Sequence, residues 1–222
     1  MLTPRIRGGY VARWSALLVG VYLCAVGILA MVDSKLGAGA WAVLQQGIAA
    51  HTPLSFGTAT VVVSVCVLIA ARLLAVTIGV GTLVDALAVG IFIDATARIG
   101  WIEGLATPAL AGRVALLALG LAAFGFGTAL YLSAGLGGGP RDALMLGIRG
   151  RTGWPLAPSR IALELSVLAV GFVLGGTVGI GTVAMALAIG PLIEASFRVL
   201  LLSRIAGDLS DTPPLSVATH IT

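Results

Sequence analysis

The sequence predicts an all-α, polytopic transmembrane helical bundle built from two tandem repeats, and three observations carry that prediction. Apolar residues make up 59% of the 222 residues and charged residues only 10%, with a mean hydropathy of +1.10. A soluble domain is usually about 25% charged, so this chain cannot hide its apolar surface in one soluble core and belongs in a bilayer. Six stretches are long and apolar enough, with few or no charges, to cross a hydrocarbon slab about 30 Å thick at about 1.5 Å per helical residue. Finally, the chain repeats itself at an offset of 100 residues, with about 25 identities in the 86 positions that align 13–98 with 113–198. Most identities are Gly, Leu, Ala, Thr or Arg.

The elements follow in order. Residues 1–12 form a short basic lead with Arg5 and Arg7, expected in the cytoplasm and retained as part of a signal anchor. Repeat one (13–100) predicts long helices at Trp14–Val32, Phe56–Val76 and Thr82–Ile99, with a shorter apolar piece at Ala40–Ala50. A linker (101–112) leads to repeat two (113–204), with long helices at Val114–Leu132, Ser159–Leu174 and Thr182–Leu202 and a short piece at Pro140–Ile148. A polar tail (205–222) closes the chain. The short pieces cannot span as helices unless the glycine-rich segment before each covers part of the depth. Such backbone is tolerated only where it is buried in protein or lines a polar cavity.

Whether the short piece crosses decides the symmetry. Four crossings per repeat give two like-oriented repeats; three give inverted ones. Like-oriented repeats put ten arginines on the cytoplasmic side and leave only Lys35, Arg72 and Arg141 elsewhere, so the positive-inside rule favours them. The expectation is a multi-pass protein of the bacterial inner membrane with parallel repeats and both termini cytoplasmic.

Two duplicated glycine loops are the first candidate site. Gly37 and Gly39 recur as Gly137 and Gly139, and Gly79, Gly81 and Thr82 recur as Gly179, Gly181 and Thr182. Glycine there allows positive φ or close backbone approach, and the threonines suit helix N-caps. With parallel repeats, four helix N-termini would converge on the outer side around an anion or a carbonyl-rich ligand. The alternative is that the glycines only permit tight helix crossing.

A second candidate is the stripe Thr82, Ala86, Gly90, Asp94, Arg98 and its copy Thr182, Ala186, Gly190, Glu194, Arg198. Small residues four apart favour close helix approach, and acid before base at i,i+4 favours an ion pair. Asp94–Arg98 and Glu194–Arg198 are therefore expected either as bridges that lock a helix pair or as proton-coupling groups. Pro191, present only in the second copy, predicts a kink.

Charges that break the repeat form a third group. Asp85 stands opposite Met185, Arg72 opposite Phe172, Arg141 opposite Trp41, Asp142 opposite Ala42 and Glu164 opposite Ser64. Arg72 and Asp85 are expected to neutralise one another and, with Arg141 and Asp142, to line an outer vestibule. Glu164 is expected to pair with Arg160. Gln45, like Gln46, is polar inside an apolar run and can hold a ligand or a neighbouring helix.

Other chemistry is not expected. Cys24 and Cys66 lack metal-ligand spacing and read as packing residues. His51 and His220 join no zinc-like cluster, and there is no nucleophile-and-base set. Neither catalysis, a metal nor a cofactor is anticipated. The pI near 9.7 follows from arginines at helix ends, so nucleic acid is not expected as a partner; the bilayer, a small-molecule substrate and a homo- or hetero-oligomeric neighbour are.

Ser133 through Ile148, then Arg151-Thr152-Gly153, Gly179-Ile180-Gly181-Thr182 and Ile189 through Glu194 resemble the YczE-type bacterial integral membrane family, and more distantly YitT-type proteins. The resemblance covers nearly the whole chain and implies a polytopic inner-membrane protein. Where that family usually carries Trp after the proline, Arg141 stands here, and repeat one lacks both the Pro and the Asp. The reading that follows is a small-molecule transporter or exporter with its site between the repeats. The alternative is a non-transporting subunit that assists a partner exporter or biosynthetic complex.

Overall fold

The computed structural model describes residues 4–203, 206 and 207. Most of the tail expected at 205–222, with His220, and Arg204 before it lie outside the described residues. Eight α-helices run in a long–short–long–long order, twice: α1 (Tyr10–Asp33), α2 (Ala40–His51), α3 (Phe56–Leu73), α4 (Val80–Ile99), then α5 (Leu110–Ser133), α6 (Pro140–Thr152), α7 (Leu156–Val173) and α8 (Ile180–Leu202). A two-residue strand, β1 (Arg5–Ile6), pairs antiparallel with β2 (Ala206–Gly207).

Glycine decides the centre of the bundle. α1 and α5 cross where Gly20 faces Gly127 and Gly27 faces Gly120. A Cβ on Gly20 would stand 2.7 Å from the Gly127 carbonyl oxygen, and one on Gly27 would stand 2.7 Å from that of Gly120. The backbones therefore touch, as small-residue seams allow where lipid supplies no hydrophobic drive between helices. Leu17, Val21, Ile28 and Met31 complete this core.

The same contacts overturn the expected parallel repeats. Early α1 residues meet late α5 residues, so the two helices are antiparallel. Arg13, at the start of α1, donates to the carbonyls of Ala134 and Gly135 at the end of α5, both at 2.7 Å. Reciprocally, Arg113 donates to Ser34 and Lys35 at 2.8 and 2.6 Å. These cations satisfy the orphan carbonyls of a helix C-terminus. The positive-inside count misleads because it assumes that the short helices cross. With 12 and 13 residues, each reaches only about 18–20 Å, less than the hydrocarbon slab.

Among the described residues five helices are long and apolar enough to cross a membrane, or six spans if α6 and α7, bent by 120°, make one. The β1–β2 pairing brings the segment before α1 beside the segment after α8.

Candidate functional site

The four glycine loops do meet, but in two pairs at opposite ends of the α1–α5 axis, not in one outer cluster. Gly181 N–H, in the first turn of α8, donates to Leu36 O at 2.8 Å, and Gly81 N–H, in the first turn of α4, donates to Leu136 O at 3.0 Å. Each junction joins one half to the other. Gly37 and Gly137 have φ of +105° and +136°, and a side chain on either would run into the opposite strand of loop at Gly179 or Thr82. These glycines thus serve close backbone approach. Thr182 receives the N–H of Gly179 on its hydroxyl, and Thr82 is buried against Gly137.

Beyond these junctions the short helices turn inward, and their first turns meet. Trp41 lies in the first turn of α2 and Arg141 in the first turn of α6; the Arg141 guanidinium lies over the Trp41 indole, 5.1 Å from the ring centroid. Pro140 sits in the first turn of α6, where its missing N–H costs nothing. Trp41, Val63 and Val67 form a small apolar cluster around this point, with Leu144, Leu163 and Val167 against it.

Two packing niches flank that meeting point, one per half, and they differ. On the α6 side, Gly139 lacks a side chain where Asp85 and the Tyr131 hydroxyl approach; a Cβ would stand 3.2 Å from each. The Asp142 carboxylate faces the Tyr131 hydroxyl and the Gly139 backbone N–H. On the α2 side, Gly39 faces Met185, and Met31 and Ala42 occupy the positions of Tyr131 and Asp142. One of two equivalent niches is therefore polar while the other is filled by apolar side chains.

Between α2, α3 and α6 lies a narrow crevice lined by Trp41, Gln45, Val63, Ser64, Val67, Pro140 and Arg141, without room for a water molecule. Gln45 is fully buried, and neither its amide nitrogen nor its carbonyl oxygen has a partner. Among the described residues Arg141 closes no ion pair and donates no hydrogen bond to a protein group. A buried amide left this way costs about 1–3 kcal/mol. Gln46 is different: its side-chain oxygen accepts the Thr177 N–H at 3.0 Å.

The remaining predicted residues fall elsewhere. Arg72 is exposed at the end of α3, and Asp85 lies instead in the field of Arg141 and Asp142. Asp94 does not bridge to Arg98. It caps α3, accepting from Ser55 Oγ and from Gly57 N–H at 2.9 Å, while Gly90 packs on Gly57. Arg98 is exposed. Glu194 and Arg198 do pair, at 2.7 Å, because the cap has no counterpart: Pro155, Ala157 and Pro158 replace Ser55, Gly57 and Thr58. α3 runs along α4, whereas among the described residues α7 does not pack along α8. Arg160 and Glu164 approach to 3.9 Å, as expected.

Sequence reasoning missed Tyr131, Ser64 and the carbonyl-binding role of Arg13 and Arg113. The alignment of Arg13 with Arg113 was the available signal for the last pair. Tyr131 carries none, since one tyrosine near a helix end reads as an interfacial residue.

Comparison with known proteins gives one family and two relatives. A family of unknown function (DUF6198) matches residues 11–198. A Haemophilus influenzae protein described only as uncharacterized is 37% identical over 205 residues, covering 89% of this chain and 92% of its own. The Bacillus subtilis uncharacterized membrane protein YczE is 29% identical over 191 residues, covering 84% and 86%. No solved structure matches.

Proposed function

Given that the chain belongs to the family of unknown function DUF6198 and is a YczE-type membrane protein, we propose that it moves a small solute across the bacterial inner membrane. The solute site is the crevice where α2 and α6 begin. The observation that carries this reading is Gln45, a buried amide with both ends unpartnered, beside an arginine that closes no ion pair among the described residues.

Support comes from the architecture as well. Antiparallel halves, each with a short helix that starts near the centre, are a recurring construction of secondary transporters, in which one half rocks against the other around a fixed site. The two glycine junctions are then the points about which the halves turn. Asp85 and Asp142, gathered on Gly139, are the coupling groups. Asp94 and Glu194 are not needed for coupling, since one caps a helix and the other pairs on the surface. The face that carries Arg5, Arg13, Arg72, Arg149 and Arg151 is cytoplasmic by the positive-inside rule, and both termini lie there.

The test is uptake of a labelled metabolite panel into proteoliposomes that contain the full chain. A solute carried by the wild type and at least about tenfold slower with Asp85→Asn or Asp142→Asn supports the reading. Flux unaltered in both variants removes these groups from the mechanism.

A second reading, a subunit seated against a partner in the membrane, is favoured by the gap beside α8. There Pro191, Glu194, Ala195 and Arg198 line about 220 Å³, and a Cβ on Gly190 would touch nothing. Co-purification of a stoichiometric second membrane protein, lost on Gly190→Leu, supports this reading over transport.

A further inference from the structure

The chemistry of the central crevice narrows the class of solute, provided that it is the solute site. Its unmet groups are mostly donors. Arg141 presents a planar fork of N–H groups, one face of which is covered by Trp41, and Gln45 adds an amide with two N–H donors and one acceptor. Ser64, at the same crevice, supplies a hydroxyl that both donates and accepts. The first turn of α6 opens beside them with the positive end of its dipole. Planar donor forks match planar carboxylates in bidentate fashion.

Charge and space decide among anions. Asp85 and Asp142 stand on the other side of the α6 start, around Gly139, and share the field of Arg141. They oppose any added negative charge, and a doubly charged phosphate more strongly than a monoanion. The crevice is also narrow, without room for a water molecule, so a solute must spread its walls, and one of few heavy atoms spreads them least.

We propose that the crevice binds a short-chain monocarboxylate, its oxygens shared between the Arg141 guanidinium and the Gln45 amide, at the start of α6. Binding satisfies the orphan amide, and Trp41 fixes the plane of the guanidinium. The apolar wall of Val63 and Val67 receives the hydrocarbon end.

The test uses the purified full chain in detergent, with propionate as the probe and inorganic phosphate and propionamide as comparators, read by thermal shift and by intrinsic tryptophan fluorescence. Propionate is expected to raise the melting temperature saturably and to change the fluorescence. Arg141→Ala loses at least about tenfold in affinity, the scale of a lost charge-assisted hydrogen bond, and Arg141→Lys loses less. Gln45→Leu distinguishes binding from simple damage: it removes an orphan polar group, so the unliganded protein melts higher while the propionate shift shrinks. A propionate response equal in Arg141→Ala and wild type, no saturable response, or equal binding of propionamide or phosphate overturns the proposal. Propionate that binds but is not carried into proteoliposomes leaves the ligand class standing and removes the transport reading. Transport of another solute class that survives Arg141→Ala does the reverse.

Discussion

The guanidinium of Arg141 lies over the indole of Trp41, although the two residues occupy the same position in the two halves of the chain. Equivalent residues touch in this way only near an axis that relates the halves. The pair therefore marks the centre of the molecule and joins the first turns of the two short helices.

That contact is worth about 1–2 kcal/mol where it is partly desolvated. Trp41→Phe keeps an aromatic face and is expected to cost about 1 kcal/mol. Trp41→Ala also empties a buried site, and is expected to cost about 3 kcal/mol or more. Thermal or denaturant unfolding in detergent measures both.

The α1–α5 seam tolerates no added side chain. Gly27→Val puts atoms where the Gly120 carbonyl and the Phe124 N–H stand, and overpacking of this kind costs about 1–3 kcal/mol. Gly190→Val, at a glycine whose added Cβ touches nothing, is expected to leave the unfolding midpoint nearly unchanged. Comparison of the two midpoints checks the prediction.

The two acidic residues of the duplicated stripe differ in weight. Asp94 satisfies the first turn of α3 through Ser55 and Gly57, so Asp94→Ala is expected to cost about 1–2 kcal/mol. Glu194 pairs with Arg198 on an exposed surface, and Glu194→Ala is expected to change stability by no more than about 0.5 kcal/mol. A larger effect at Glu194 than at Asp94 contradicts this assignment.

How much of this was legible in the sequence can be traced residue by residue. Helix positions followed from charge-free runs, and the 100-residue offset announced which positions are equivalent. The offset also shows which charges break the pattern: of Arg72, Asp85, Arg141, Asp142 and Glu164, the fold gathers Asp85, Arg141 and Asp142 near Gly139 and the start of α6, whereas Arg72 is exposed at the end of α3 and Glu164 lies beside Arg160. Relative orientation was not legible, because it turns on whether 12 residues of α2 cross, and composition does not distinguish a short crossing from a return. The partner of Asp94 was hidden for a related reason. A carboxylate four residues before an arginine reads as an i,i+4 pair, and only the fold brings Ser55 and Gly57 closer.

Repeat equivalence also exposes a strained turn. Ala75 has φ of +62°, and its counterpart Gly175 has φ of +80°. A left-handed conformation costs a non-glycine residue about 1–2 kcal/mol. Ala75→Gly is expected to raise stability by about 1 kcal/mol, and Gly175→Ala to lower it by a similar amount, as read from the paired unfolding midpoints.

The antiparallel arrangement of the halves underlies all of this, and side-specific labelling in intact cells tests it most directly. With Cys24 and Cys66 replaced by serine, single cysteines at Ala106, in the α4–α5 connection, and at Gly150, near the end of α6, are treated with a membrane-impermeant thiol reagent. The antiparallel fold predicts reaction from outside at position 106 and protection at position 150 until the membrane is permeabilised. Reaction of both positions from the same side contradicts it.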